Sequence, residues 1–408
     1  MLAAGGRPAE IYRALRELRD RTADEVRHRY PDIPRRISGF NLDQLLPEND
    51  FHLARALVGS EGTCVTVLRA ELQLLPEPAE QPLVLLGFPD VYAAAAAVPQ
   101  VNRHQPMVVE AFDDKLVAFQ RRKHLNPEAV RHLPDAGAWL MVQLAADTRE
   151  EAVERARAFV DDLRSGSSST EVVDDPRRQQ ELWHIRESGL GATVRVPGMP
   201  DTWPGWEDSA VAPERLADYL RDLHRLQREY DLADAALYGH FGHGCVHSRM
   251  GFDLSDPEGV RRYRGFVTAA ADLAVSYGGS LSGEHGDGQA RGELLTRMYG
   301  EDLVREFAEF KKIFDPYGRM NPGKVVHPEP LDADLRLGPG YHPARPRTEF
   351  RYPHDDGLLS RATERCVGVG KCRREGGGVM CPSYLVTREE RHSTRGRAHL
   401  LNEMLRGE

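Results

Sequence analysis

Apolar and polar positions change their period several times along this 408-residue chain. In AEIYRALRELRDRTADEVRHRY, Ile11, Leu15 and Leu18 recur at helical spacing among charges, which predicts an amphipathic helix. TCVTVLRAELQLLPEP has a different rhythm. Val65, Val67, Ala70, Leu72 and Leu74 nearly alternate, with one slip, and predict strands ending at the prolines. PLVLLGF reads as a short buried strand, and DVYAAAAAV as a helix with Asp90 at its N-cap. AWLMVQLAADTREEAVERARAFVDDLRS predicts a strand and then a helix. Asp147 and Glu150 form its capping box, and Ala152, Ala156 and Phe159 its buried stripe. SSSTEVVDD returns as a strand.

A second round follows. EDSAVAP predicts a strand, ERLADYLRDLHRLQREY a helix, and DAALYGHFGHGCVHSRMGFDL two strands around a glycine turn. The helix PEGVRRYRGFVTAAADLAVSYGG carries Val260, Tyr263, Val267, Ala271 and Ala274 on one face. Two strand–helix–strand rounds predict an α+β sheet of ferredoxin-like kind, with helices packed on one side. Beyond it, periodicity gives way to proline, glycine and charge, the composition of a linker. A cysteine segment and an amphipathic helix close the chain.

Charge narrows the function. A net charge of -9 with no basic tract argues against a nucleic-acid partner. No apolar run approaches the ~20 residues that span a bilayer. With no signal-like start, the expected location is cytoplasmic, or peripheral at the inner face of the membrane. The length suggests two to four domains at about 100–200 residues each. Cys64, Cys245, Cys366, Cys372 and Cys381 are odd in number and gather at one end. That is no disulfide framework, but it suits a metal centre in a reducing compartment. CVGVGKCRREGGGVMCP offers three thiolates, one short of an iron–sulfur cluster's usual four. A structural zinc site would want a fourth ligand too.

The strongest chemistry lies in GHFGHGCVH, paired with SGEHGDG. Gly242 and Gly244 permit a tight reversal that can bring His240 and His247 together on neighbouring strands. After one intervening helix, Glu284 sits in a second glycine-bracketed loop. Two imidazoles and a carboxylate leave open positions on a divalent ion, as catalytic metal sites do. His285 is the candidate base. Isolated histidines near glycines are usually surface turn residues, but a cluster with a second His–carboxylate loop favours the metal site. Cys245 reads as a small core residue rather than a ligand.

YGHFGHGCVH, LSGEHGDGQARGELL and DPYGRMNPGKVV together resemble the C-terminal domain of FAD-linked oxidases. These flavoproteins oxidise D-2-hydroxy acids such as D-lactate and D-2-hydroxyglutarate. ALVGSEGTCVTVLRAELQLLP is similar to the closing part of their PCMH-type FAD-binding domain, and the cysteine-bearing end resembles the 4Fe-4S ferredoxin-type domain fused behind long members. The implied division is 1–79 for the end of the FAD domain, 80–327 for the substrate and metal domain, 328–349 for a linker and 350–408 for a partial, α-helical iron–sulfur domain.

The resemblance also implies roles. A divalent metal of zinc or manganese type falls on His240, His247 and Glu284, and the proton acceptor on His285. The substrate-gripping arginine falls on Arg186, with a helix-surface salt bridge as the plainer alternative, and Asp208 lies near the site. FAD runs along Gly59, Ser60, Glu61, Gly62 and Thr63, with Asn321 and Lys324 on a returning segment. Cys366, Cys372 and Cys381 hold the cluster. The expected partners are a small 2-hydroxy acid and an electron acceptor (quinone, cytochrome or electron-transfer protein), with room for a homo-oligomer. His243 departs from the family, which usually has Asp there; it bears on metal identity and is a candidate surplus ligand. No glycine-rich pyrophosphate loop precedes GSEGT. The expectation is therefore a chain that starts inside its flavin domain, binds FAD poorly alone, and stops before a second cysteine run. A non-catalytic electron-transfer or scaffold subunit, and a plain zinc hydrolase, are the competing readings.

Overall fold

The structure is a computed structural model that describes residues 5–232, 235–376 and 380–407. The MLAA start, the first residue of the predicted DAALYG strand, the GGV in the middle of the cysteine loop, and Glu408 lie outside the described residues.

One seven-stranded antiparallel sheet organises the fold, in the order β4-β1-β3-β2-β6-β7-β5. Its strands are β1 (Leu83–Phe88), β2 (Val108–Asp113), β3 (Ala138–Gln143), β4 (Ser169–Val173), β5 (Ser209–Ala210), β6 (Leu237–Gly239) and β7 (Cys245–Ser248). The order 4-1-3-2 of the first four strands is the ferredoxin-like βαββαβ arrangement. The sequence pattern indicates every strand but β2, whose MVVEAFD carries a charge inside an apolar run.

Helices cover both faces of the sheet, not one. Val84, Leu86, Leu140 and Val142 pack into a core with helices Val91–Asn102, Arg149–Leu163 and Pro257–Ser276. Leu83, Leu85, Trp139 and Met141 point the other way, against Leu116 and Val117 of helix Asp114–Arg122 and Leu182 and Ile185 of helix Pro176–Glu187. Successive strand side chains alternate faces, so a continuously apolar β1 requires cover on both. The covering helices sit between β2 and β3 and after β4, in segments whose polar composition hides their apolar stripes.

Two local expectations shift. The helix predicted after Asp147 is capped one residue later. Thr148 Oγ1 accepts from the Glu151 amide at 3.2 Å, and the Glu151 carboxylate returns to the Asp147 amide at 3.0 Å. The predicted strands in TCVTVLRAELQLLPEP do not form. Leu68 is 93% exposed and Leu74 87%, because no strand of the sheet is paired with this segment, and a lone strand has no stable backbone partner. The predicted face of helix Pro257–Ser276 is buried at Tyr263, Val267, Ala271 and Ala274.

The N-terminal helix Gly6–Arg29 lies against helix Leu295–Phe314, with Tyr30 on Tyr299 and Phe40 on Phe307. The chain then runs into the sheet's functional end. The Ile37 amide donates to Ser282 O at 3.2 Å, and the Ser282 amide to Ser38 Oγ at 2.9 Å. Residues 328–349 contain no helix or strand, yet are pinned at their start: Arg264 bridges Glu293 at 2.7 Å and Asp332 at 2.8 Å.

Asp113, at the end of β2, is buried; it caps the following helix through the Leu116 amide and holds β6 through the Leu237 amide. Burial pushes its carboxyl up to about 7. A folded-state value above the unfolded one contributes stability below the usual aspartate range, and this is lost as pH rises through 7. Asp113→Asn is expected to remove a slope of at most about 1.4 kcal/mol per pH unit from stability between about pH 4 and 7. Chemical denaturation of both proteins across that range checks it; identical slopes would contradict it.

Candidate metal and substrate site

The site is built on the β6–β7 hairpin, where Tyr238 pairs with His247. The turn between them runs through Phe241–His243 and closes at Gly244, whose φ is 68°. A Cβ on Gly244 would lie 1.8 Å from the Val211 carbonyl oxygen, which is backbone and cannot yield. Gly244→Ala is therefore expected to cost more than about 2 kcal/mol and to disorder the histidines with it. A melting curve read beside metal binding would show both losses; unchanged stability would contradict this reading of the turn.

The hairpin presents His240 and His247 with ring centroids 5.4 Å apart. The loop after helix Pro257–Ser276 brings Glu284 between them. Glu284 Oε1 lies 2.9 Å from His240 Nε2, 3.2 Å from His247 Nε2 and 3.6 Å from His285 Nε2. Three imidazole nitrogens thus meet one carboxylate oxygen. The bonds from His240 and His247, with Arg35 nearby, hold Glu284 far below the usual carboxylate range. His285 stacks on His247 at 5.0 Å and 9°.

Asp208 fixes that loop from beneath. It is fully buried, with φ at 77°. Its carboxylate accepts from Ser282 Oγ at 2.5 Å, the His285 amide at 2.8 Å and the Glu284 amide at 3.2 Å. Its backbone binds Val246 and Gly283, so hairpin and loop share one clamp. Cys245 is buried and its thiol donates to Asp208 at 3.3 Å. Burial, then the Asp208 charge, push that thiol well above its ordinary value.

Three residues that the sequence reading did not single out complete the site. Glu110, on β2 and only 6% exposed at its side chain, bonds His240 Nδ1 and accepts from Arg186 Nε at 2.7 Å. Burial lowers His240, but the bonds from Glu110 and Glu284 outweigh it and raise it to about 8. Glu207 holds His285 Nδ1 at 2.8 Å and raises His285 against its burial. Arg35 donates to Glu284 Oε2 and, at 3.1 Å, to His243 Nδ1. His243 is thereby turned to Arg35, and burial followed by the Arg35 charge lowers it.

Arg186 is not a helix-surface salt bridge. It is largely buried, its Nε is taken by Glu110, and its guanidinium lies 5.1 Å from the Tyr238 ring centre. Arg249 lies just beyond β7. Its Nε is buried without a hydrogen-bond partner among the described residues. Burial outweighs the pull of Glu207 and Tyr238 and lowers its guanidinium below the ordinary value.

The donor set fits a divalent cation. Glu284 Oε1 lies between His240 Nε2 and His247 Nε2, and donor atoms of His247 and Glu284 also lie within 4.8 Å of those of Asp208 and Cys245. Glu110 on the far nitrogen of His240 is placed as outer carboxylates that orient metal-binding histidines are. The GSEGT loop bears on the same structure. The Glu61 carboxylate accepts from the Asp287 and Gly288 amides at 2.8 and 2.9 Å. Asn321 Nδ2 reaches Glu61 O at 2.7 Å, while Lys324 turns to Gln289 at 3.2 Å. Ser60 and Thr63 are buried and lock the turn; Gly62 is exposed, while a Cβ on Gly59 would lie 2.3 Å from Ile37 Cδ1. A Cβ on Gly286 would lie 2.7 Å from Glu61 Oε1, so the loops approach as closely as glycine allows. The two segments expected along a flavin thus meet at the metal loop, an arrangement that suits one.

In the C-terminal segment, Cys372 and Cys381 are buried with Tyr384, and Cys366 is half-exposed. The Tyr384 amide beside Cys381 lowers its thiol to about 7. The Glu390 carboxylate, 2.7 Å from Arg395, raises that guanidinium above its ordinary value. Cys64 and Cys245 belong to the main body, so this segment offers three thiols where an iron–sulfur cluster takes four.

Residues 77–325 match the family described as FAD linked oxidases, C-terminal domain. The D-2-hydroxyglutarate dehydrogenase of Pseudomonas putida is 30% identical over 99% of this chain and 41% of its own length. That of Escherichia coli is 29% identical over 97% of this chain and 40% of its own. The D-lactate dehydrogenase of Archaeoglobus fulgidus is 29% identical over 68% of this chain and 58% of its own. The chain thus spans about two fifths of the first two relatives. Among solved structures, substrate-bound p-cresol methylhydroxylase is similar at 15% identity and a TM-score of 0.44, over 64% of this chain and 55% of its own. The 4-ethylphenol oxidase of Gulosibacter chungangensis is similar at 14% and 0.47, over 63% and 56%.

Proposed function

This chain belongs to the FAD-linked oxidases through their C-terminal domain, and from that membership we propose that it supplies the substrate and metal half of a D-2-hydroxy-acid dehydrogenase of the D-lactate or D-2-hydroxyglutarate class. The observation that carries the reading is the meeting of three imidazole nitrogens on Glu284 Oε1, with Glu110 and Glu207 behind His240 and His285.

His240, His247 and Glu284 would hold a divalent ion of zinc or manganese type. When bound, such an ion acidifies a substrate hydroxyl and orients it. His285 takes the hydroxyl proton at Nε2, because Glu207 occupies its Nδ1 and stabilises the imidazolium that results. Stacking on His247 keeps the His285 ring in register with the ligands. Arg186 holds a substrate carboxylate through its terminal nitrogens, since its Nε is committed to Glu110. Asp208 keeps Glu284 and His285 in place. Gly59, Gly62, Glu61 and Asn321 would line FAD, which when bound accepts the hydride from C2. An iron–sulfur module and an acceptor beyond it are the proposed route for electrons, with the remaining thiolate supplied from elsewhere.

The test is dye reduction by the full chain, with Mn²⁺ and with FAD in large excess to offset the weak flavin binding expected of this chain alone, using D- and L-lactate and D- and L-2-hydroxyglutarate. Reduction by a D-enantiomer that stops on chelation is expected. Activity that survives chelation, or that prefers the L-enantiomer, would contradict the reading.

A further inference from the structure

We infer that Arg249 is the specificity residue of this site and binds the second carboxylate of a dicarboxylic 2-hydroxy acid. The inference rests on the proposed reading of the metal site and goes beyond it by choosing the substrate class.

Charge pairing around the site leaves a gap. Arg35 is matched by Glu284, and Arg186 by Glu110. Arg291 also has a buried Nε without a hydrogen bond, but its terminal nitrogens donate to the backbone oxygens of Glu207 and Gly286. The Glu207 carboxylate is engaged by His285, and that of Asp208 by Ser282, Cys245 and two loop amides. Arg249 has no ion pair among the described residues, and its Nε is buried without a hydrogen bond. A guanidinium whose Nε is withdrawn from water without an acceptor is costly, and its partly exposed terminal nitrogens are left open to a ligand.

Position supports the same role. Met250 bridges Trp203 in antiparallel register, so the extended chain continues past β7. Alternation along it puts His247 and Arg249 on one face. Two residues of extended chain advance about 6.6 Å. The terminal carbons of a five-carbon diacid are about 5 Å apart, across four bonds of ~1.5 Å. A substrate whose hydroxyl end sits at the His247 metal position would therefore direct its far carboxylate toward Arg249. A monocarboxylic acid such as lactate has nothing to place there. Tyr238, whose ring lies 5.5 Å from that of His247, stands within electrostatic reach of both Arg186 and Arg249.

Isothermal titration of the Mn²⁺-loaded full chain with 2-oxoglutarate and with pyruvate tests this. The wild type should prefer the diacid. Arg249→Gln should weaken 2-oxoglutarate at least about tenfold, as expected for a lost charge-assisted bond, and collapse the preference over pyruvate. Arg249→Lys should restore part of it. Melting temperatures of each variant separate this from misfolding. Equal weakening of both ligands, no change in either, or no rescue by lysine would overturn the inference while leaving the metal site standing. A wild-type chain that binds neither ligand would overturn the metal-site reading, and this inference with it.

Discussion

Glu284→Gln is expected to lower divalent-metal affinity by at least about 100-fold and to abolish the proposed D-2-hydroxy-acid oxidation, with the fold intact. Glu284 Oε1 is the point on which His240, His247 and His285 converge, and Oε2 is held by Arg35. An amide keeps the shape but removes the only anionic member of the proposed ligand set, leaving two neutral imidazoles. The loop itself should not move, because Asp208 secures it through the backbone amides of Glu284 and His285 rather than through the Glu284 side chain. Metal titration beside thermal melting reads both parts. Retained affinity would show that the carboxylate is a structural partner of the histidines. A large fall in melting temperature would show that it holds the loop.

Glu110→Gln should do different damage. Glu110 is buried between two partners, bonding His240 Nδ1 with one oxygen and Arg186 Nε with the other. Losing its charge leaves Arg186 withdrawn and unmatched, which costs about 3–5 kcal/mol when a buried pair is broken from one side. It also frees the His240 ring, and loss of such an outer partner typically costs about 10–100-fold in metal affinity. The double variant Glu110→Gln/Arg186→Met separates the effects. It should recover much of the stability, because no buried charge remains, but not the metal affinity. Recovery of both would mean that Glu110 serves only to neutralise Arg186.

These two residues mark the limits of the sequence. Glu284 was legible because glycines bracket it and a histidine follows, and because the paired hairpin motif sits one helix earlier. Glu110 was not, because it comes from β2, on a strand far away in the chain. The available signal was its setting: a carboxylate inside MVVEAFD, an otherwise apolar run, needs a buried partner. In WEDSAVAP, attention to Asp208 found the residue that clamps the loop and passed over its neighbour Glu207, which orients His285. Arg35 and Arg249 flank recognisable segments without belonging to any pattern, and only folding shows what they face. The ferredoxin-like half was readable from strand and helix periods. The second helical layer was missed although the continuously apolar β1 calls for cover on both faces, because its helices lie in segments whose polar composition hides their apolar stripes. The exposed 65–75 segment shows the converse: alternation predicts a capacity for strand pairing, and pairing needs a neighbour.

The central claim is that His240, His247 and Glu284 form one divalent-metal site. Titration of the metal-stripped full chain with Mn²⁺, followed by electron paramagnetic resonance in the wild type and in His240→Ala, tests it most directly. A single saturable ion per chain is expected in the wild type, and its loss in the variant. No bound ion in the wild type, or an ion held equally well without His240, would contradict it.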